Sequence, residues 1–167
     1  MRALEEGKAL DVEQLAAHLD NARWRLVFTS SAGDLAKLRK TGTGGGRYFP
    51  LTAVQSWSSG GHIRNGVHLG HWAALQFDGP FRLSGKRMQF DFDKLSLKFL
   101  GLKGSFQLKP PGYSLPEQST KAGGALPFFL FAWADGDLVV ARGRSGGVAL
   151  WARAAPSWVL EAGALPL

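Results

Sequence analysis

Three histidines, His62, His68 and His71, lie close together and are the nearest the chain comes to a metal-ligand set, because neutral imidazole binds zinc and related ions. The spacing is poor for that purpose. On an extended strand His68 and His71 point to opposite faces, and no neighbouring carboxylate or cysteine completes a set, so no metal is expected. Cysteine is absent altogether, which removes disulfides, thiolate sites and cysteine nucleophiles and suits a reducing compartment. Ser30, Ser31 and Ser84 lack a nucleophile-elbow context, and the sparse carboxylates form no acid–base pair. Gly42-Thr43-Gly44-Gly45-Gly46 and Gly143-Arg144-Ser145-Gly146-Gly147 lack the Gly-Lys-Ser/Thr ending of a phosphate loop and read as turns. No catalytic residue emerges, and the chain is not expected to be an enzyme.

Charge is more informative. The net charge is +7 over 167 residues, but the first twenty hold Arg2 and Lys8 against Glu5, Glu6, Asp11, Glu13 and Asp20 and so carry −3, leaving +10 on the rest. A basic body attracts polyanions: nucleic acid, anionic lipid or an acidic protein. Nucleic acid is disfavoured, because the phenylalanines and cations alternate onto opposite strand faces and cannot form a basic stacking platform. Lys86, Arg87, Lys94, Lys98 and Lys103, with Lys37, Arg39, Lys40 and Arg47, are the candidate face for anionic lipid or an acidic partner; the alternative is ordinary solvated surface.

The elements that would position these groups follow from periodicity. Ala9, Leu10, Val12, Leu15, Ala16 and Leu19 recur at helical spacing, predicting a short amphipathic helix over about residues 6–19. From Trp24 the period changes to two. Met88, Phe90 and Phe92 alternate with Arg87, Gln89, Asp91 and Asp93, and Leu95, Leu97 and Phe99 continue the alternation, which is the pattern of antiparallel sheets with one wet face. Residues 67–78 alternate more weakly. Asp135-Gly136-Asp137 predicts a hairpin between two apolar runs, and the turn at Arg144–Gly147 adds a third strand, residues 148–153. Residues 32–46 and 109–126 read as long loops. The expected architecture is one all-β domain over 1–167: a short N-terminal helix, an antiparallel barrel of about eight or nine strands over about 23–153 and a tail over 154–167. Closure removes the exposed edges a flat sheet would leave. The longest apolar run, residues 126–134, is about half of what a membrane-spanning helix needs, and the opening Met1-Arg2-Ala3-Leu4-Glu5-Glu6 has no targeting character.

The stretch Leu19-Asp20-Asn21-Ala22-Arg23-Trp24-Arg25-Leu26-Val27-Phe28-Thr29-Ser30-Ser31 resembles the opening of the plastid lipid-associated (fibrillin) domain. Asp135-Gly136-Asp137-Leu138-Val139-Val140-Ala141-Arg142-Gly143-Arg144-Ser145-Gly146-Gly147-Val148-Ala149-Leu150 is similar to its closing segment, and residues 90–100 are similar to its phenylalanine-rich strand pair. The resemblance covers roughly residues 11–153. It departs at Arg144, where an acidic or amide residue is frequent, and in the absent transit peptide. It implies a lipocalin-like barrel in the chloroplast, peripheral on thylakoid or plastoglobule. The implied work is the handling of a carotenoid, quinone or fatty acid, or docking on a thylakoid membrane complex, with no catalytic residues.

Within that frame, Trp24 with Arg142 or Arg153 is similar to the lipocalin arrangement of an arginine over a tryptophan at the closed barrel end. Such a contact stabilises by about 0.5–2 kcal/mol. Phe28, Phe77, Phe90, Phe92, Phe99, Phe131 and Trp133 are the expected inward set, forming either a solid core or the lining of a ligand cavity. The loop 109–126, with Pro110-Pro111 and an apolar exit at Leu126-Pro127-Phe128-Phe129, is the expected docking segment.

Overall fold

The computed structural model describes residues 12–20, 22–116 and 126–167. Its centre is a closed antiparallel barrel of eight strands: β1 (Arg23–Ser30), β3 (Thr52–Ser58), β4 (His62–Leu69), β5 (Ala73–Ser84), β6 (Arg87–Phe90), β9 (Phe128–Ala134), β10 (Leu138–Gly143) and β11 (Val148–Arg153). Each strand pairs with the next of the eight in chain order, and β11 pairs back to β1 to close the ring. Three further strands stand outside the ring: β2 (Arg47–Tyr48), which adds to β1, and the hairpin β7 (Lys94–Phe99) and β8 (Leu102–Gln107), which adds to β5.

Alternation fills the barrel, as the sequence predicts. Trp24, Trp57, Ile63, Met88, Phe131, Val139, Ala141 and Trp151 turn inward and are buried. One end is plugged by α1 (Val12–Leu19), whose Leu15 and Leu19, four residues apart on one helical face, join the same core. The N-terminal part of the expected helix, 6–11, lies outside the described residues.

The long loop expected over 32–46 is mostly a helix, α2 (Ala32–Thr41). A capping box starts it: Ser31 Oγ accepts the Asp34 N–H at 3.1 Å, and the Asp34 carboxylate accepts the Ser31 N–H at 2.8 Å. That Ser-x-x-Asp signal is legible in sequence; the polar run after it obscures the helix. The Ser31 N–H also holds the Asp34 carboxyl below the usual carboxylate range. Leu35 of α2 covers Val140 and Val148 on the outer wall.

Residues 67–78 are a hairpin turning at Gly70-His71 and not one strand. The expected tail carries α3 (Pro156–Glu161), and Val159 and Ala164 are buried against Val54 on the outside of the barrel. Of the loop 109–126, residues 117–125 lie outside the described residues. The stretch before them is latched: the Tyr113 hydroxyl donates to Asp91 at 2.8 Å, and Arg82 donates to the Leu115 carbonyl at 3.1 Å. Burial and the Asp91 contact push the Tyr113 phenol up to about 12.

Candidate apolar binding surface

The Arg153 guanidinium lies 4.8 Å from the Trp24 ring centre, donates to the Gly136 carbonyl in the β9–β10 turn, and reaches the His18 carbonyl of α1 at 3.5 Å. This is the arginine–tryptophan closure expected at the plugged end. Arg142, the other candidate, sits at the far end of β10 and donates to the Gly146 carbonyl at 3.3 Å.

Two bulges overturn part of the expected inward set. Between Leu26 and Phe28, β1 has one residue more than β11, and between Phe131 and Trp133, β9 has one more than β10. An extra residue reverses every later side chain. Phe28 therefore pairs with outward Leu150 and meets Tyr48 edge-on at 6.0 Å, while Trp133 packs outside with Val140 and donates to Asp135 at 3.0 Å. Phe131 stays inside, against Trp57. Phe77, Phe92, Phe90, Phe129 and Trp151 form a chain of rings with successive centroid separations of 5.3, 5.5, 4.9 and 5.3 Å. The deep barrel is thus packed with aromatic side chains, and among the described residues the Trp24 and Trp57 indole N–H groups have no acceptor there.

The inner face does not end at the ring. Along Ala73–Asp78, β5 pairs with β4 on one edge and β7 on the other; only beyond Pro80 does it pair with β6. The barrel's inner face therefore runs on over the β7–β8 wing in three rows across β4, β5, β7 and β8. These are Asn65, Phe77, Leu95 and Phe106; Val67, Leu75, Leu97 and Gly104; and Leu69, Ala73, Phe99 and Leu102. Exposure rises outward: Leu97 is 39% exposed, Phe106 57%, Phe99 63% and Leu102 79%. Phe99, expected inside the barrel, belongs to this open face. Sequence reading finds the Leu95–Phe99 alternation but places it in a closed wall. The missed signal is that leucines flank the turn glycine at Leu100-Gly101-Leu102, where a solvated hairpin would be polar.

The opposite face of the same sheet is polar. Asp78 accepts Arg64 Nε at 2.7 Å and Gln76 Nε2 at 2.6 Å, and Gln76 accepts the Leu167 N–H at 3.0 Å. The segment after α3 thereby covers His68 and Gln76, which are buried. Of the three histidines only His68 is buried, and among the described residues no group of three metal-ligating side chains occurs. Burial holds the His68 imidazolium below its usual range, Lys98 and Arg23 add repulsion, and a backbone hydrogen bond at Gly163 opposes both. Folded chains then bind fewer protons than unfolded ones as pH falls through about 6.5, so stability declines there. The midpoint of thermal unfolding should drop between about pH 7 and pH 5, with a shallower slope in His68→Gln; equal slopes would assign the effect elsewhere.

The basic residues do not form one face. Lys94, Lys98 and Lys103 lie on the polar side of the wing, with Lys98 directly opposite Lys103. Lys37, Arg39 and Lys40 are on α2 and Arg47 on β2, whereas Lys86 and Arg87 sit at the β5–β6 turn, the other end of β5 from the wing tip. Arg87 stacks on Phe128 at 4.0 Å. Comparison with protein-family models, curated proteins and solved structures finds no match for this chain.

Proposed function

We propose that this chain is a non-catalytic lipid-associated protein of the plastid fibrillin kind. It holds an isoprenoid, quinone or fatty-acid-type ligand against the exposed apolar face that continues from its barrel over the β7–β8 wing, peripheral on the thylakoid or plastoglobule. The observation that carries the reading is the unbroken apolar face from Phe77 and Leu75 out to Leu97 and Phe106. Aromatic rings fill much of the barrel's depth, so we assign the ligand to this face, where removal of apolar area from water supplies about 25 cal/mol per Å². Phe77 and Phe92 would form its inner boundary, in ring contact at 5.3 Å. The filled core also favours a second reading, an accessory subunit that docks on a photosynthetic membrane complex and carries no ligand.

Native mass spectrometry of the purified protein before and after organic extraction, followed by addition of a fatty acid, a carotenoid and a quinone, separates the two. The expected result is a bound apolar molecule or saturable uptake. Both should be lost in a Leu97→Asp/Phe106→Asp double variant that melts like the parent, since both side chains are exposed. A protein that is empty and ignores all three compounds supports the accessory-subunit reading.

A further inference from the structure

The tips of two neighbouring hairpins form one apolar prow. The β4–β5 turn presents Leu69 and Trp72, and the β7–β8 turn presents Leu100, flanked by Phe99 and Leu102; all five are exposed, Trp72 at 71% and Leu100 at 60%. The turns are tied together, the Leu100 N–H donating to the Trp72 carbonyl at 2.8 Å. Packing does not account for leucine at position 100. Leu100 and Gly101 both have positive φ, 49° and 87°, a geometry in which two-residue hairpin turns favour Asn or Gly at the first position. Leucine there accepts backbone strain and leaves its side chain in water.

The β7–β8 hairpin beside this prow is cationic. Residues 94–107 contain Lys94, Lys98 and Lys103 and no aspartate or glutamate, whereas Arg64 on β4 is paired with Asp78 at 2.7 Å and adds no free charge. Lys98 and Lys103 face each other across β7 and β8, a like-charge pair that destabilises a sheet unless an anion shares it. Below them, the segment after α3 buttresses the prow: a side chain at Gly163 would collide with the Gly70 backbone.

We infer that this two-hairpin prow is a bilayer-docking site. Trp72, Leu100 and their neighbours enter the acyl region of an anionic leaflet, and Lys98 and Lys103 contact the headgroups. The inference deepens the lipid-associated reading by naming the side chains that touch the bilayer, and it does not depend on a ligand being held on the wing. Apolar side chains with a cationic collar combine the two attractions of peripheral binding, and each lysine near an anionic surface strengthens it about five-fold.

Flotation with phosphatidylcholine vesicles, with and without phosphatidylglycerol, tests it. The parent should float with the anionic vesicles and dissociate in high salt. Brominated acyl chains should quench a part of the tryptophan emission that Trp72→Phe removes. Trp72→Ser/Leu100→Asn should bind at least about ten-fold more weakly while melting no lower than the parent, because asparagine suits the turn. Lys98→Glu/Lys103→Glu should do the same through charge. Unchanged flotation of the prow variant overturns the inference, as does equal binding to neutral vesicles. A parent that ignores vesicles but self-associates through the prow, with the prow variant monomeric, also overturns it and assigns the face to a second copy. The wing variant Leu97→Asp/Phe106→Asp keeps the two readings apart: lost ligand with retained flotation spares the prow, and retained ligand with lost flotation in the prow variant spares the wing.

Discussion

Trp24→Ala is expected to lower the unfolding free energy by about 3–5 kcal/mol, the range for truncating a large buried aromatic in a packed core. Trp24 is fully buried, beside the plug formed by Leu15 and Leu19. Its truncation would also leave the Arg153 guanidinium without the ring it covers at 4.8 Å. That guanidinium bonds the β9–β10 turn and α1 as well, so the loss should spread to the plug. Trp24→Phe separates the contributions. It keeps an aromatic face under Arg153 and deletes an indole N–H that has no acceptor among the described residues, a group whose burial costs about 1–3 kcal/mol; its penalty should be well under half that of alanine. Arg153→Met should cost about 1 kcal/mol, near the strength of a partly exposed cation–π contact. Urea unfolding followed by far-ultraviolet circular dichroism reads all three. A Trp24→Ala loss below about 1 kcal/mol would show that α1 and the adjoining strands hold without this pillar.

The same residues show how far the sequence can be read. Met88 and Phe90 alternate cleanly with polar neighbours and are found buried, and Trp24 with Arg153 closes the barrel end as expected, because alternation and a strand-end cation are local properties. Phe28 and Trp133 are misassigned because a bulge leaves no mark on composition; one extra residue in Leu26–Phe28 or Phe131–Trp133 changes the parity of all that follows. The wing is hidden for a different reason. Leu95, Leu97 and Phe99 have the pattern of a barrel wall, and only the partner exchange along β5 places them outside the ring. Pattern gives the face of a residue, whereas pairing gives its environment, and pairing is a long-range property.

Where that exchange happens predicts the second large effect. β5 gives up β7 and takes β6 at Gly79-Pro80, and proline, with no N–H, costs no ladder bond at a point where the ladder changes hands. The chain linking β6 to β7 crosses directly over Gly79: the Asp93 N–H donates to the Asp78 carbonyl at 3.0 Å, and the Asp91 N–H to the Pro80 carbonyl at 3.2 Å. A Cβ at position 79 would lie 2.1 Å from the Asp91 carbonyl oxygen and 2.8 Å from Phe92 Cα, both backbone atoms that no rotamer can move aside. Gly79→Val must therefore lift the crossing chain, weakening two hydrogen bonds worth about 1 kcal/mol each and adding overpacking strain of about 1–3 kcal/mol. The expected loss is about 3–5 kcal/mol, with faster hydrogen exchange at Asp91 and Asp93 and a loosened wing. Gly104→Val is the matched control, since a Cβ there meets nothing within 4 Å and the strand conformation favours valine. It should be neutral or slightly stabilising, by less than about 1 kcal/mol. Equal unfolding midpoints for the two variants would mean that the crossing yields freely, and the wing would then be hinged to the barrel instead of fixed against it.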